Sequence, residues 1–178
     1  MDEIVAAALR KWPKVPHCYG WLALDARGQW WLRDERAQAA GPFPQVKGSA
    51  VVNERLRDFI ARNYDRDPRG CWFFQNGPQR VYVELEAAPW VWRLHEAAAA
   101  GAAPRAFAHT GRSAQLHRAW LDEAGRLFLD SDIGLGIVHS MDMGIAAVAV
   151  ERGHWAPAPL RFEDMAARFG HELRPQPD

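Results

Sequence analysis

Residues 70–94 read GCWFFQNGPQRVYVELEAAPWVWRL. Cys71 to Gln75 is an aromatic run, and Asn76-Gly77-Pro78 follows it. From Gln79 the chain alternates, with Val81, Val83 and Leu85 on one side and Arg80, Tyr82 and Glu84 on the other. Period two is the pattern of a half-buried strand. Asn-Gly between two such runs signals a hairpin, because both residues tolerate positive φ. Pro78 cannot donate to a ladder, so it pushes the turn towards an edge or a longer loop. Ala87-Ala88-Pro89 breaks the chain, and Trp90 to Leu94 offers a further strand. The stretch therefore predicts a three-stranded antiparallel meander, and the rest of the chain is read around it.

Upstream, Ile4, Val5, Ala8 and Leu9 form one face of a short helix that Pro13 ends. Tyr19 to Leu24 and Gln29 to Leu32 flank Asp25-Ala26-Arg27-Gly28, a hairpin turn. Residues 33–47 read as a polar loop. With Ser49 as its cap, an amphipathic helix near 50–64 carries Val52, Leu56, Phe59, Ile60 and Tyr64 on one face. Downstream, the alanine-rich run from His95 to Arg105 predicts a mobile loop or one short turn, and a sub-division is placed near 95–108 of what is otherwise one domain, 1–178. Gln115 to Leu121 and Arg126 to Leu129 make a second hairpin around Asp122-Glu123-Ala124-Gly125. Residues 24–32 and 121–129 share the pattern L-D-x-x-G-x-φ-φ-L. It reads either as an internal duplication or as two hairpin turns converging on Asp and Gly. Met141 to Val150 is apolar and small, fitting a strand or a helix, and Phe162 to Phe169 is a closing helix that Gly170 caps. Runs of strands joined by short turns predict an α+β fold: hairpins and the meander in one or two sheets, the 50–64 helix packed on a face, and short terminal helices.

Of the 178 residues, 48% are hydrophobic and 25% charged, values that let a globular chain bury a core. Lys+Arg and Asp+Glu are 22 each, so no net positive charge draws the chain to nucleic acid. No apolar run reaches the roughly 18 residues a membrane helix needs, so no membrane association is expected. The acidic start lacks a signal peptide's basic region, and Cys18 and Cys71 share no CxxC motif. Both points predict a cytoplasmic protein with reduced thiols.

The chemistry-bearing motifs are few. Gly134-Leu135-Gly136 lacks the third glycine of a dinucleotide loop, where His139 stands instead, and no phosphate-binding G-x-x-x-x-G-K-[ST] occurs. Neither a cofactor nor a metal is expected, since no histidine has zinc-finger or H-E-x-x-H spacing. Two candidate sites remain. His139 and Asp142 follow a glycine-weakened strand, and His109-Thr110-Gly111 is a second polar knot. If the two segments converge, His109, His139 and Asp142 form a catalytic or metal-holding set. The other candidate is a binding surface on the meander, with Gln75, Asn76 and Arg80 beside Trp72 or Tyr82.

Gly41-Pro42-Phe43-Pro44, Lys47-Gly48-Ser49, Arg62-Asn63-Tyr64, residues 70–86, 89–94 and 134–142, and His109-Thr110-Gly111 resemble an uncharacterised family of proteobacterial proteins, a domain of unknown function. The resemblance implies a soluble bacterial protein and brings no catalytic residues. From the residues alone, the leading expectation is a binding or accessory domain, not an enzyme, with a small molecule or protein as partner. A His/Asp enzyme and a self-associating structural subunit, a homo-oligomer, are the alternatives.

Overall fold

The structure is a computed structural model that describes residues 1–97, 99 and 101–177. The chain divides into two compact units: Met1–Asp25, Gln29–Glu86 and Gly170–Asp178 form one, and Ala26–Gly28 with Ala87–Phe169 form the other.

Unit 1 contains α1 (Glu3–Lys11), β1 (Cys18–Leu24), β2 (Trp30–Leu32), α2 (Glu35–Ala40), β3 (Ser49–Ala50), α3 (Glu54–Arg62), β4 (Tyr64–Arg66), β5 (Trp72–Asn76) and β6 (Gln79–Leu85). Its sheet has the order β3-β2-β1-β6-β5-β4, antiparallel except for the central β1/β6 pair. The expected meander is present, but its members are β4, β5 and β6. The strand beginning at Trp90 belongs to the other sheet. Gly77-Pro78 is the turn between β5 and β6, which leaves the proline clear of the ladder.

Unit 2 contains β7 (Trp90–His95), β8 (Arg105–Ala108), β9 (Ser113–Ala114), β10 (Leu116–Leu121), β11 (Leu127–Ser131), β12 (Gly136–Val138), a 3-10 turn (Ser140–Asp142), α4 (Met143–Glu151), β13 (Ala158–Pro159) and α5 (Phe162–Phe169). Its order is β13-β10-β11-β12-β7-β8-β9, with parallel pairs only at β7/β12 and β10/β13. Trp120, Phe128, Leu135, Ile137 and Met165 form a core against which Phe162 and Phe169 of α5 pack. The fold is α+β, as the strand runs predict.

Several local expectations change. Ser49 is not a helix cap: it pairs with Leu32, and Asn53 caps α3 by accepting the Leu56 N–H at 3.0 Å. Val52 is 80% exposed, so Phe59 and Ile60 are what α3 buries. Residues 33–47 are not merely a polar loop. Asp34 caps α2, and Arg33 is buried with its Nη1 2.7 Å from Glu84. Of the alanine-rich run, Ala98 and Ala100 lie outside the described residues.

The two units repeat one plan. Read from the other edge, unit 2 is β9-β8-β7-β12-β11-β10, with every strand direction matching β3-β2-β1-β6-β5-β4. Register matches as well. Tyr64↔Phe74, Arg66↔Trp72 and Phe73↔Tyr82 in unit 1 correspond to Ala119↔Leu129, Leu121↔Leu127 and Phe128↔Ile137 in unit 2, with one constant displacement along the sequence. The turns between those hairpins are Asp67-Pro68-Arg69-Gly70 and Asp122-Glu123-Ala124-Gly125. Each Asp accepts backbone N–H groups two and four residues on, at 2.8–3.0 Å, and each Gly has a positive φ of 84° or 74°. The duplication is therefore real at the level of topology, but Asp122 corresponds to Asp67. The Asp25 turn, its apparent partner by pattern, joins β1 to β2, strands equivalent to β7 and β8.

Candidate functional site

The two units part ways after their third strand. In unit 1, β3 passes to β4 through α3, and Phe59 of α3 meets Phe74 edge-on with centroids 5.4 Å apart. In unit 2, β9 passes to β10 through Gln115 alone. That one residue links strands near opposite ends of the sheet order, so the sheet of unit 2 must curl strongly. Leu129, the equivalent of Phe74, is buried and lines a cavity of about 360 Å³.

That cavity is bordered by β8, β9, β10 and the segment after α4. β8 contributes Arg105 and Phe107, and β10 contributes His117 and Arg118. His154 and Trp155 come from the loop beyond α4, and among the described residues no Asp or Glu lines the space. The Arg105 guanidinium lies over the Phe107 ring at 5.0 Å, a cation–π contact that restrains it. Asp130 stands opposite Arg118 in the ladder, but its carboxylate accepts the Ser131 N–H, and among the described residues neither Arg105 nor Arg118 has an ion-pair partner. The Nε2 of His154 is enclosed and has no hydrogen-bond partner among the described residues. An enclosed, unsatisfied polar atom costs about 1–3 kcal/mol unless something fills its valence. His154 also borders an adjoining cavity of about 190 Å³ against Ile145, Val148 and Ala149 of α4, which Glu96 and Arg152 line too. None of these residues stands out as a site in the sequence, because they come from separate strands and a loop with no shared motif.

The structure does not gather His109, His139 and Asp142. β7 lies between β8 and β12, antiparallel to one and parallel to the other, and Ala108 and Val138 both stand opposite Trp92. The residues after them consequently leave in opposite directions, His109 towards Val91 and His139 towards Arg93. Two strand spacings, roughly 10 Å, separate their backbones. Each side chain is engaged locally. His109 Nδ1 accepts the Val91 N–H at 3.3 Å beside Trp90, and burial pushes its pKa down to about 3. His139 caps the 3-10 turn by accepting the Met141 N–H at 3.1 Å. Burial pushes the Asp142 carboxyl up, but Arg93, at 2.7 and 3.2 Å, and the Leu94 N–H, at 3.0 Å, outweigh it and hold the pKa below its ordinary value. Among the described residues no three His, Cys, Asp or Glu side chains are placed to hold a metal ion. The room expected at Gly136 is taken by the indole of Trp92, with Trp90 Cβ 2.8 Å from where a side chain would start.

The meander residues are mostly interior. Gln75 is fully buried, with Nε2 donating to the Gly77 carbonyl at 2.9 Å. Tyr82 is buried, stacks on Tyr19 at 4.5 Å and donates its hydroxyl to Asp67 at 3.0 Å. Trp72 is buried against Tyr64 at 4.8 Å. Arg80 lies over Phe73 at 4.4 Å, and Asn76 alone of the five is exposed. With Trp72, Gln75 and Tyr82 inside, the five do not present one open face.

Among solved structures, the chain is similar to the crystal structure of a DUF1285 family protein from Silicibacter pomeroyi DSS-3, with a TM-score of 0.51 and 12% identity over 81% of this chain and 82% of that one. A DUF1285 family protein from Shewanella baltica OS155 is similar with a TM-score of 0.49 and 14% identity, over 74% of this chain and 91% of that one. At such identities the first likeness is one of fold alone. No curated protein matches the chain. Residues 1–176 match the family DUF2944, whose description is "Protein of unknown function (DUF2946)". Because that match takes in the strands of both units and the tail beyond them, the chain belongs to the DUF2944 family.

Proposed function

We propose that the protein is a soluble bacterial binding domain of the cytoplasm, one that takes a small molecule on the aromatic and polar face of the unit 2 sheet. The observation that carries this reading is the cavity bordered by Arg105, His117, Arg118, His154 and Trp155, where cationic side chains meet with no carboxylate among the lining residues. Pockets of roughly 300–1,000 Å³ with a few convergent polar groups are the usual form of a ligand site. No described helix is long and apolar enough to cross a membrane, and both cysteines are free, which supports the proposed setting. The test is a panel of small acids, bases and neutral metabolites against the full chain, read by thermal shift and by tryptophan fluorescence, with Trp155→Phe as control. A ligand whose fluorescence response is lost in Trp155→Phe supports the reading. Binding that is indifferent to Trp155→Phe and His154→Ala overturns it.

A second reading, self-association, is favoured by one observation. The outward face of α4 and the turn before it is apolar, with Met141 73% and Val148 42% exposed. Its proposed occupant is the same face of a second copy, since an isologous contact needs only one self-complementary patch. Light scattering across a concentration series should show a dimer that Val148→Glu dissociates. A monomer at every concentration overturns this reading.

A further inference from the structure

We propose that the ligand of the unit 2 cavity is a phosphate monoester carried on a flat ring, an inference that rests on the binding reading above. The argument begins with charge. Arg105 and Arg118 both border the cavity, and guanidinium groups keep their charge at any physiological pH. Neither has an ion-pair partner among the described residues, and no acid lines the cavity to offset them. A single carboxylate leaves one guanidinium unmatched. A phosphate monoester carries about −1.5 to −2 charges near pH 7 and three acceptor oxygens, which answers two forked donors.

A further donor stands beside them: Ser113 on β9 supplies a hydroxyl. The organic part is set by the remaining walls. Phe107 is already held between the Arg105 guanidinium at 5.0 Å and the His95 ring at 5.2 Å, and Trp155 is half-buried. Aromatic walls of this kind favour a planar ring over a flexible chain. Size limits the choice again. A cavity of about 360 Å³ lies at the small end of ligand pockets, so it admits a phosphate with one ring system and excludes dinucleotides and polymers.

The test is calorimetry on the full chain with phenyl phosphate, adenosine 5′-monophosphate, adenosine, benzoate and inorganic phosphate. Phenyl phosphate or the nucleotide should bind at least about tenfold tighter than adenosine, benzoate or inorganic phosphate. Arg105→Ala and Arg118→Ala should each weaken that binding about tenfold or more, with thermal melts unchanged, because both side chains are exposed and neither has an ion-pair partner among the described residues. Adenosine binding as tightly as its monophosphate overturns the phosphate, and inorganic phosphate binding as tightly as phenyl phosphate overturns the ring. Binding that survives both arginine substitutions overturns the site. If no probe binds but another panel compound occupies the cavity, the phosphate inference falls while the binding reading stands. If nothing occupies the cavity, both fall.

Discussion

Gly136 shows how one residue can mislead in a sequence. Next to Gly134 it suggests space for a ligand. In the structure, a Cβ there would meet the Trp92 indole and Trp90 Cβ. Trp90 and Trp92 also anchor their Nε1 groups on the Ile133 and Leu129 carbonyls at 2.7 and 3.0 Å, so neither ring can retreat without losing a bond. Over-packing a dense core costs about 1–3 kcal/mol even where neighbours can yield. Gly136→Ala is therefore expected to lose at least about 3 kcal/mol in a urea melt, and wild-type stability in that variant would refute the packing account. The histidines make a second residue-scale prediction. Burial lowers the pKa of His109 to about 3 and that of His171 to about 4. Below the ordinary histidine pKa near 6.5, the unfolded chain takes up protons that the folded chain refuses at both sites. Stability should then fall with falling pH, by up to about 1.4 kcal/mol per pH unit for each histidine between pH 6 and pH 4. Both His171 nitrogens are enclosed without partners among the described residues, so His171→Leu should keep stability at pH 7.5 and flatten the acid slope. A slope unchanged in His171→Leu would show that other groups set it.

At the scale of elements, turn chemistry is the part most legible in the sequence. Asp25-Ala26-Arg27-Gly28 and Asp122-Glu123-Ala124-Gly125 fold as hairpin turns, because a carboxylate that accepts backbone N–H groups and a glycine at positive φ are local requirements. Asp67 to Gly70 carries the same signal, but it sits at the end of an amphipathic run and so reads as a helix terminus. Strand partnership is less legible. Trp90 to His95 has strand composition, yet nothing local tells it to join β8 and β12 rather than β6. The apolar run that forms α4 lacks a period, so its residues alone do not separate helix from strand. The turns differ in what rests on them. Asp122 serves Arg126 and two backbone groups, whereas Asp67 also takes the hydroxyl of buried Tyr82 at 3.0 Å. Asp122→Ala should cost about 1–3 kcal/mol, and Asp67→Ala about 1 kcal/mol more, since it leaves that hydroxyl unsatisfied. Equal losses in chemical denaturation would mean that the Tyr82 contact contributes nothing.

For the whole molecule, the candidate cavity is hidden in the sequence because its charges are dispersed. Arg105 sits at the end of an alanine-rich run, Arg118 on a strand of the second hairpin and His154 in a loop, and only the curl of the unit 2 sheet brings them to one space. Zero net charge hides such a patch, since it reports the sum of charges and not their placement. The division into units also yields a prediction. The Leu85 N–H donates to the Leu173 carbonyl at 2.9 Å, and the Glu172 N–H donates to the Gly70 carbonyl at 3.0 Å, so residues after α5 complete unit 1. Removing residues 170–178 should lower hydrogen-exchange protection in β5 and β6 and leave β7, β11 and β12 as protected as before. Equal loss in both units would show that they open together.

The same tail has a consequence for the order in which the protein is made. A ribosome releases β1 to β6 early, but the strip that binds β6 and the Asp67 turn emerges only after the whole of unit 2 has been translated. The half that is synthesised first is the half that is finished last, and a released chain cut short before Gly170 would carry an unsealed first sheet beside every element of the second.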